Sequence, residues 1–276
     1  ERNESMGLVY AIANQKGGVG KTTTVVNLAA YFGARGKRVL CIDIDPQGNT
    51  TTGLGIKKRS LTASSYHVLN GSAKISDVIQ QTEYENVSIV PARDELAGCE
   101  LELSQMEYRA TRLRMQLLTC KADYDYIFID CPPALGLLTL NGLAAADEII
   151  VPMTAEFYAL EGLSQLMTTM KAVRANLNPS LKIAGILFVM FDPRLNVSRQ
   201  VEEEVAKYFP NQIFRTKIPR NVRLSEAPSY GKPVMYYDKN SKGAEAYAEL
   251  GMELLGETPP PKEKKRFQLF HRKNKN

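Results

Sequence analysis

The chain has 276 residues, of which 44% are hydrophobic and 24% charged, enough apolar material for the core of one α/β domain. No apolar run reaches the roughly 18–20 residues that a membrane-spanning helix needs, and no signal-peptide pattern opens the chain. Four cysteines lie far apart along the chain, and there are two histidines. This pattern predicts reduced, buried thiols in a cytosolic protein and argues against a disulfide framework or a zinc site.

The net charge of +5 is unevenly distributed along the chain. Residues 262–276 carry seven lysines and arginines against Glu263 alone, a net charge of +6. The rest of the chain is therefore close to neutral, with a net charge of −1. A nucleic-acid site on the folded body would have to be a local patch of charge.

Short apolar runs alternate with helical patterns, and this order predicts a single α/β domain at residues 8–255 with a mostly parallel sheet flanked by helices. The predicted strands are Leu8–Ala13, Arg38–Ile44, Val87–Pro91, Tyr126–Asp130, Glu148–Pro152 and Ile183–Met190. The predicted helices include Thr22–Arg35, Leu96–Lys121 and Leu160–Asn176. Residues 1–7 are predicted to be a disordered N-terminus, and residues 256–276 a proline-rich linker with a basic tail.

A glycine-rich loop joins the first predicted strand to the first predicted helix, in the order Gly17-Gly18-Val19-Gly20-Lys21-Thr22. Glycines let successive backbone N–H groups turn inward around an anion, and the N-terminus of the following helix adds its partial positive charge. Lys21 can then reach the β- and γ-phosphate oxygens, and the Thr22 hydroxyl can ligate Mg²⁺. The loop therefore predicts an ATP site of the P-loop type, to which we also assign Thr23.

Lys16 stands where the ordinary P-loop, G-x-x-x-x-G-K-[ST], has its first glycine. One interpretation is a solvated loop lysine. Another is a second ammonium that reaches the phosphates of a neighbouring subunit, as an arginine finger does. The run from Lys16 to Thr22 resembles the deviant Walker A box of the ParA/Soj/MinD ATPases. That resemblance implies an ATP-dependent homodimer in which Lys16 crosses the interface to the partner's nucleotide.

Two carboxylates end the second predicted strand, and the strand period of two puts Asp43 and Asp45 on one side, at the edge where the phosphate loop lies. They could hold metal-bound water and orient the attacking water, or one of them could cap the next turn. The run Asp43–Asn49 resembles the family's second box, which implies that Asp45 positions the nucleophilic water. We assign Asp43 a metal-side or switch role.

Asp130 ends the apolar strand Tyr126–Asp130 and is followed by Cys131 and two prolines. A carboxylate that emerges from a buried strand beside a P-loop is the expected Walker B aspartate, which reaches Mg²⁺ through water. The run also resembles the family's third box. Cys131 is interpreted as a small packing residue.

The segment Ile218–Pro228 is predicted to join a short strand to a helix. The sequences Asp45–Asn49 and Arg220–Pro228 resemble the chromosome-partitioning Soj branch of the family more than MinD. The resemblance covers nearly all of residues 7–255, and it implies that Pro219 and Arg220 lie against the adenine.

Several basic residues stand in loops or at helix starts, where a charge is usually just solvated. The resemblance to the Soj branch implies that Arg194 and Arg223 lie on a dimer surface that binds double-stranded DNA without sequence preference, and we assign Lys242 to the same surface. Binding by phosphate neutralisation should fall steeply with salt. Few residues precede the first strand, so we expect no helix-turn-helix extension and no sequence-specific operator binding.

The predicted function is that of an ATP-dependent dimerising switch that binds DNA and hydrolyses ATP slowly, with stimulation by its partner and by DNA. It would drive chromosome or plasmid partitioning with a ParB-like centromere-binding protein, in the cytoplasm and on the nucleoid.

The basic tail leaves other functions open because it mixes cations with Phe267, Leu269 and Phe270. It could be a disordered tail, an arm that contacts DNA, or a membrane-surface segment similar in composition to the C-terminal anchor of MinD. The last option implies a membrane-associated ATPase that positions division or another cell structure. A nitrogenase-like iron protein is a further reading, but the sequences around Cys99 and Cys131 do not look like cluster-binding loops.

Overall fold

The structure is a computed structural model that describes residues 7–258. It forms one eight-stranded sheet between two layers of helices. The strands are β1 (Leu8–Ile12), β2 (Val39–Asp43), β3 (Gln80–Gln81), β4 (Val87–Val90), β5 (Tyr126–Asp130), β6 (Glu148–Thr154), β7 (Lys182–Phe191) and β8 (Ile218–Pro219). The helices are α1 (Lys21–Ala34), α2 (Asn49–Gly53), α3 (Ser65–Asn70), α4 (Ile75–Val78), α5 (Cys99–Ser104), α6 (Arg112–Leu117), α7 (Leu137–Ala145), α8 (Ala159–Asn176), α9 (Asn196–Tyr208), α10 (Val222–Glu226), α11 (Val234–Tyr237) and α12 (Lys242–Leu254).

The sheet has the strand order β3-β4-β2-β5-β1-β6-β7-β8, and every pairing except that of β3 with β4 is parallel. The α/β prediction with a mostly parallel sheet is confirmed. Asp130 at the end of β5 pairs in register with Ile12 of β1 on one side and Asp43 of β2 on the other. The carboxyl ends of these three central strands therefore meet at one edge of the sheet. The predicted phosphate loop, Asp43 and Asp130 all lie at this edge.

The central strands are almost entirely buried because helices cover both faces of the sheet. Strands buried on both sides read as continuous apolar runs, which is why the sequence located them closely. The predicted strand Tyr126–Asp130 coincides with β5, and the other predicted strands agree with β1, β2, β4, β6 and β7 to within two residues at each end.

The predicted helix Leu96–Lys121 is wrong as a single element, because α5 and α6 are separated by an irregular segment. Tyr108 in that segment has a φ of 55°, which a right-handed helix cannot accommodate. Asn141 of α7 hydrogen-bonds to the backbone of this segment: its side chain donates to the Arg109 carbonyl and accepts from the Leu113 N–H. Contacts with α7 thus replace hydrogen bonds that a continuous helix would make.

The first and last helices of the domain pack closely against each other. A side chain at Gly251 of α12 would lie 2.2 Å from the ring of Tyr31 on α1. Thr24 and Tyr247 share a buried hydrogen bond of 3.2 Å between their hydroxyls. The helix that follows the phosphate loop is therefore held in place by the end of the domain.

The predicted terminal segments lie mostly outside the described residues. Gly7 is buried, and its N–H donates to the Lys121 carbonyl at 3.4 Å. At the other end, Glu257 forms an ion pair with Arg35 at 2.7 Å, and the basic tail falls beyond the described range. No helix within residues 7–258 combines the length and apolar character that a membrane span requires.

Candidate functional site

The glycine-rich loop lines an open pocket of about 380 Å³ at the carboxyl edge of the sheet, between β1 and α1. Gly20 precedes α1 with a φ of 77°, a left-handed conformation that favours glycine. Val189 of β7 packs 3.6 Å from where a β-carbon on Gly20 would lie, and Val19 is buried. Contacts with the core therefore hold the loop in place, and the N-terminus of α1 faces the pocket.

Lys21 is the buried cation of this pocket, with 7% of its surface exposed. Within residues 7–258 its ammonium donates a hydrogen bond to the Lys16 carbonyl at 3.3 Å. Burial lowers the pKa of Lys21, and the nearby charges of Asp130 and Asp45 oppose that shift. A desolvated ammonium with spare donors at a helix N-terminus is suited to bind an anion.

Asp130 is fully buried, and two hydroxyls donate to its Oδ2 atom: Thr22 and Thr50, each at 2.7 Å. Its Oδ1 atom has no hydrogen-bond partner within the described protein. Burial raises the pKa of Asp130, while the two threonine hydrogen bonds oppose the shift. A buried carboxylate oxygen without a partner needs a cation or a donor, and this oxygen set, with its hydroxyls, fits Mg²⁺.

Asp43 lies beside Asp130 but is arranged differently. Its Oδ2 accepts from the Thr51 N–H at 2.8 Å and the Thr51 hydroxyl at 2.7 Å, and its Oδ1 accepts from the Asp45 N–H at 3.2 Å. Burial, followed by the charge of Asp130, raises its pKa. Both oxygens of Asp43 thus have protein partners, and its contacts with Thr51 tie the end of β2 to the first turn of α2.

Asp45 lines the phosphate pocket at the start of the turn that leads into α2. Its Oδ1 accepts the Gln47 N–H at 2.9 Å, and its carbonyl accepts the Gly48 N–H at 2.8 Å. Its Oδ2 makes no hydrogen bond with the described part of the chain. The turn therefore holds the carboxylate near Lys21 and leaves one oxygen available to the pocket.

Lys16 lies at the mouth of the pocket and makes an ion pair with Glu156, which follows β6, at 2.5 Å. Hydrogen bonding to Lys16 is the main cause of the lowered pKa of Glu156, and the charge of Arg220 contributes. The side chains of Lys16 and Glu156 are 40% and 56% exposed. In this single chain Lys16 therefore points to a carboxylate at the surface of the carboxyl edge.

Of the two residues predicted to contact adenine, Pro219 ends β8 and Arg220 follows it. Pro219 is half-buried and Arg220 is exposed, and the charge of Arg220 acts on Glu156 near the pocket mouth. Both belong to the carboxyl edge, but neither is among the residues that line the phosphate pocket.

The three predicted DNA residues are exposed, and two of them are engaged within the chain. Arg194 forms two hydrogen bonds with Asp192 at 2.9 and 2.7 Å. Arg223 pairs with Glu226 at 2.7 Å and with Asp238 at 3.2 Å. Lys242 begins α12. The structure therefore places these cations on the surface without bringing them into the phosphate pocket.

Two polar residues of the site were missed by sequence reasoning. Thr50 donates to Asp130 across 80 residues of sequence, and Glu156 pairs with Lys16 across 140. The position of Glu156 just after a predicted strand was a usable signal, because parallel strands end at the same edge. No local pattern distinguishes Thr50 from its neighbouring threonines.

The site consists of a strand, a glycine-rich loop that ends in Lys21, a helix, and the buried Asp130 at the end of the neighbouring strand. This arrangement defines a P-loop nucleoside triphosphatase. A family profile described as "AAA domain" matches residues 7–183. The chain is 53% identical over 249 residues to the sporulation initiation inhibitor protein Soj of Bacillus subtilis (strain 168), covering 90% of this chain and 98% of that protein. It is 50% identical over 262 residues to the chromosome partitioning protein ParA of Myxococcus xanthus (strain DK1622), covering 95% and 93%.

A solved structure of similar fold is the cobyrinic acid a,c-diamide synthase from Mycobacterium smegmatis with bound ATP analog and magnesium. It has a TM-score of 0.79 and 38% sequence identity, covering 90% of this chain and 94% of that one. The chain belongs to the ParA/Soj family of P-loop ATPases.

Proposed function

We propose that this protein is an ATP-dependent dimerising switch that partitions chromosome or plasmid DNA together with a ParB-like centromere-binding partner. The observation that carries the proposal is the convergence of Lys16, Lys21, Asp45 and Asp130 at one edge of the sheet around an open phosphate pocket. The names of the relatives, a Soj and a ParA protein, support the choice of partitioning over other ATPase functions.

In this proposal ATP lies with its phosphates on the loop from Gly17 to Thr22, with Thr23 beside them and the adenine toward Pro219 and Arg220. Thr22 and, through water, Asp130 would hold Mg²⁺, which supplies charge neutralisation on the phosphate oxygens. The partnerless Oδ1 of Asp130 supports this role. We propose a switch role for Asp43, because Thr51 occupies its Oδ2.

Hydrolysis is proposed to be slow and to occur in the dimer. Asp45 orients the attacking water through the oxygen that its own turn leaves available. The water oxygen bonds to the γ-phosphorus as the bond from that phosphorus to the β–γ bridging oxygen breaks, so that ADP leaves and the water proton passes to the phosphate product. Lys21 and the partner subunit's copy of Lys16 stabilise the charge that develops on the phosphate oxygens. Lys16 must first leave Glu156 to do so.

The dimer is proposed to bind double-stranded DNA without sequence preference through Arg194, Arg223 and Lys242, in the cytoplasm and on the nucleoid. Residues 8–255 would form the ATPase domain that carries out these steps. Dimerisation doubles the basic surface, so the nucleotide state sets the affinity for DNA.

The test measures binding to a random-sequence DNA duplex with ATP, ADP or no nucleotide, at low and moderate salt. The full chain is compared with a chain ending at Thr258, which keeps the ion pair of Glu257. We expect salt-sensitive binding that requires ATP and survives removal of the tail. Binding that ignores nucleotide, or that depends on the tail alone, would contradict the proposal and favour the membrane-associated alternative, which vesicle binding then tests.

Two variants separate the proposed roles. Lys16→Ala should abolish ATP-dependent dimerisation, measured by sedimentation, because the partner's nucleotide loses its cation. Asp45→Ala should leave a dimer that stays on DNA because it cannot turn over. A Lys16→Ala protein that still dimerises, or an Asp45→Ala protein with normal turnover, would remove the corresponding assignment.

A further inference from the structure

A second open cleft, of about 580 Å³, lies beside the switch region. One wall is the basic run Lys57–Arg59, which follows α2, and the other is Ser229–Gly231 at the end of the short 3₁₀ helix Ala227–Tyr230. The function proposed above does not use these residues. The 3₁₀ helix directly follows α10, which carries Arg223.

The cations of this cleft are less neutralised than the predicted DNA arginines. Lys57 and Arg59 are exposed, and neither has an ion-pair partner within residues 7–258. Among carboxylates, Lys58 makes one long contact, with Asp94 at 3.9 Å, and the carboxylate of Glu83 lies close to Gly55 in the cleft lining. Of the three cations in this wall, Lys57 and Arg59 are therefore available to pair with an anion.

Lys58 also touches the turn that carries Asp45. Its ammonium donates to the Gln47 carbonyl, and the Gln47 N–H donates to Asp45 Oδ1 at 2.9 Å. The end of the Lys58 side chain covers Gly48, where a β-carbon would lie 2.8 Å from Lys58 Cε. Gly48 has a φ of 59°, a left-handed conformation that favours glycine. One lysine therefore connects the cleft to the turn that positions Asp45.

We propose that this cleft binds phosphates of the DNA backbone and that Lys58 transmits the binding to the turn at Asp45. The inference rests on the DNA-binding function proposed above and assigns it a second contact surface. A phosphate is a charged acceptor and forms a stronger hydrogen bond with an ammonium than a neutral carbonyl does. DNA in the cleft therefore draws Lys58 away from Gln47, and the turn at Asp45 changes its hydrogen bonding in response.

The binding half of the proposal is tested with the double variant Lys57→Ala/Arg59→Ala in the full chain with ATP and a random-sequence duplex. A matched control is Lys74→Ala/Lys171→Ala, which removes two exposed cations from other surfaces, and thermal melting checks that each variant folds. We expect the slope of log Kd against log salt to become shallower by about two, roughly one for each lost phosphate contact. A slope and affinity equal to those of the control variant would overturn the proposal.

The coupling half is tested with Lys58→Met, which keeps an aliphatic cover over Gly48 and removes the donor to Gln47. The measured quantity is the ratio of ATP hydrolysis rates with and without duplex DNA. In the wild type we expect a ratio different from one, and in Lys58→Met a ratio closer to one. An unchanged ratio in the variant, or a wild-type ratio of one, would overturn the link to Asp45.

The outcomes separate this inference from the function on which it rests. If the wild-type chain fails to bind duplex with ATP, the proposed function fails. If the wild type binds but Lys57→Ala/Arg59→Ala binds equally well, only the cleft assignment fails. Vesicles of phosphatidylserine and phosphatidylcholine provide the remaining comparison, since a loss of vesicle binding without a loss of DNA binding would assign the cleft to lipid and overturn the proposal.

Discussion

Charged side chains differ in burial and pairing between the phosphate pocket and the basic surface, which we define as Arg194, Arg223 and Lys242. In the pocket, Lys21 and Asp130 are buried with incomplete sets of partners, whereas on the surface Arg194 and Arg223 are exposed and paired with carboxylates of the same chain. A buried group that lacks a partner gains free energy when a ligand supplies one. An exposed paired group must first give up its partner. The pocket is therefore ready for an anion in the single chain, while the proposed DNA binding would have to compete with internal ion pairs.

The largest effect is expected from Lys21→Ala. Loss of the buried ammonium removes charge-assisted hydrogen bonds of about 1.5–3 kcal/mol each, so we expect ATP affinity to fall roughly a hundredfold in calorimetric titration. Lys37→Ala, at a lysine on the opposite edge of the sheet, serves as the control. Unchanged affinity in Lys21→Ala would mean that the pocket does not hold the phosphates.

The next prediction concerns the carboxylate in the pocket. In Asp130→Asn the strengthening of ATP binding by Mg²⁺ should fall about 10–100-fold, the size of effect seen when an outer-shell metal partner is lost. Titrating ATP with and without Mg²⁺ measures this, with Asp123→Asn at an exposed site as control. If Asp130→Asn responds to Mg²⁺ as the wild type does, the cation is held elsewhere.

Two substitutions test whether an ion pair on the basic surface competes with DNA. Arg194→Ala should make the salt dependence of DNA binding shallower by about one unit of slope, since one phosphate contact is lost. Asp192→Asn, which releases the same arginine, should strengthen DNA binding at low salt by at most about fivefold, given the worth of an exposed ion pair. If both Arg194→Ala and Asp192→Asn weakened DNA binding, the ion pair would not compete with DNA.

The smallest effect is expected at Glu156. In the proposed dimer Lys16 leaves this carboxylate to cross the interface. Glu156→Gln should therefore let the ATP-bound dimer form at lower protein concentration, by at most about fivefold. Sedimentation over a concentration series measures the shift, and Glu161→Gln on α8 is the matched control. Weaker dimerisation in Glu156→Gln would indicate that the carboxylate stabilises the dimer.

The sequence predicted those parts of the molecule that depend on local chemistry. Buried parallel strands are continuous apolar runs, and the glycine loop requires particular residues at fixed spacing, so β5 and the loop before Lys21 could be located before the structure. The ion pair of Lys16 with Glu156 could not, because it joins residues 140 positions apart. The same holds for the break in the predicted helix Leu96–Lys121, which depends on the side chain of Asn141.

The packing of α12 against α1 has a consequence for how the protein is made. Within residues 7–258, the helix that begins at the phosphate loop leaves the ribosome long before the surface that supports it, which includes Tyr247 and Gly251. Asp130 also reaches the loop only after β5 has been added beside β1. Chains emerge N-terminal end first, so a growing chain carries the phosphate-binding residues long before it can assemble them. Nucleotide can therefore stabilise the finished domain by mass action, but it cannot guide the early stages of synthesis.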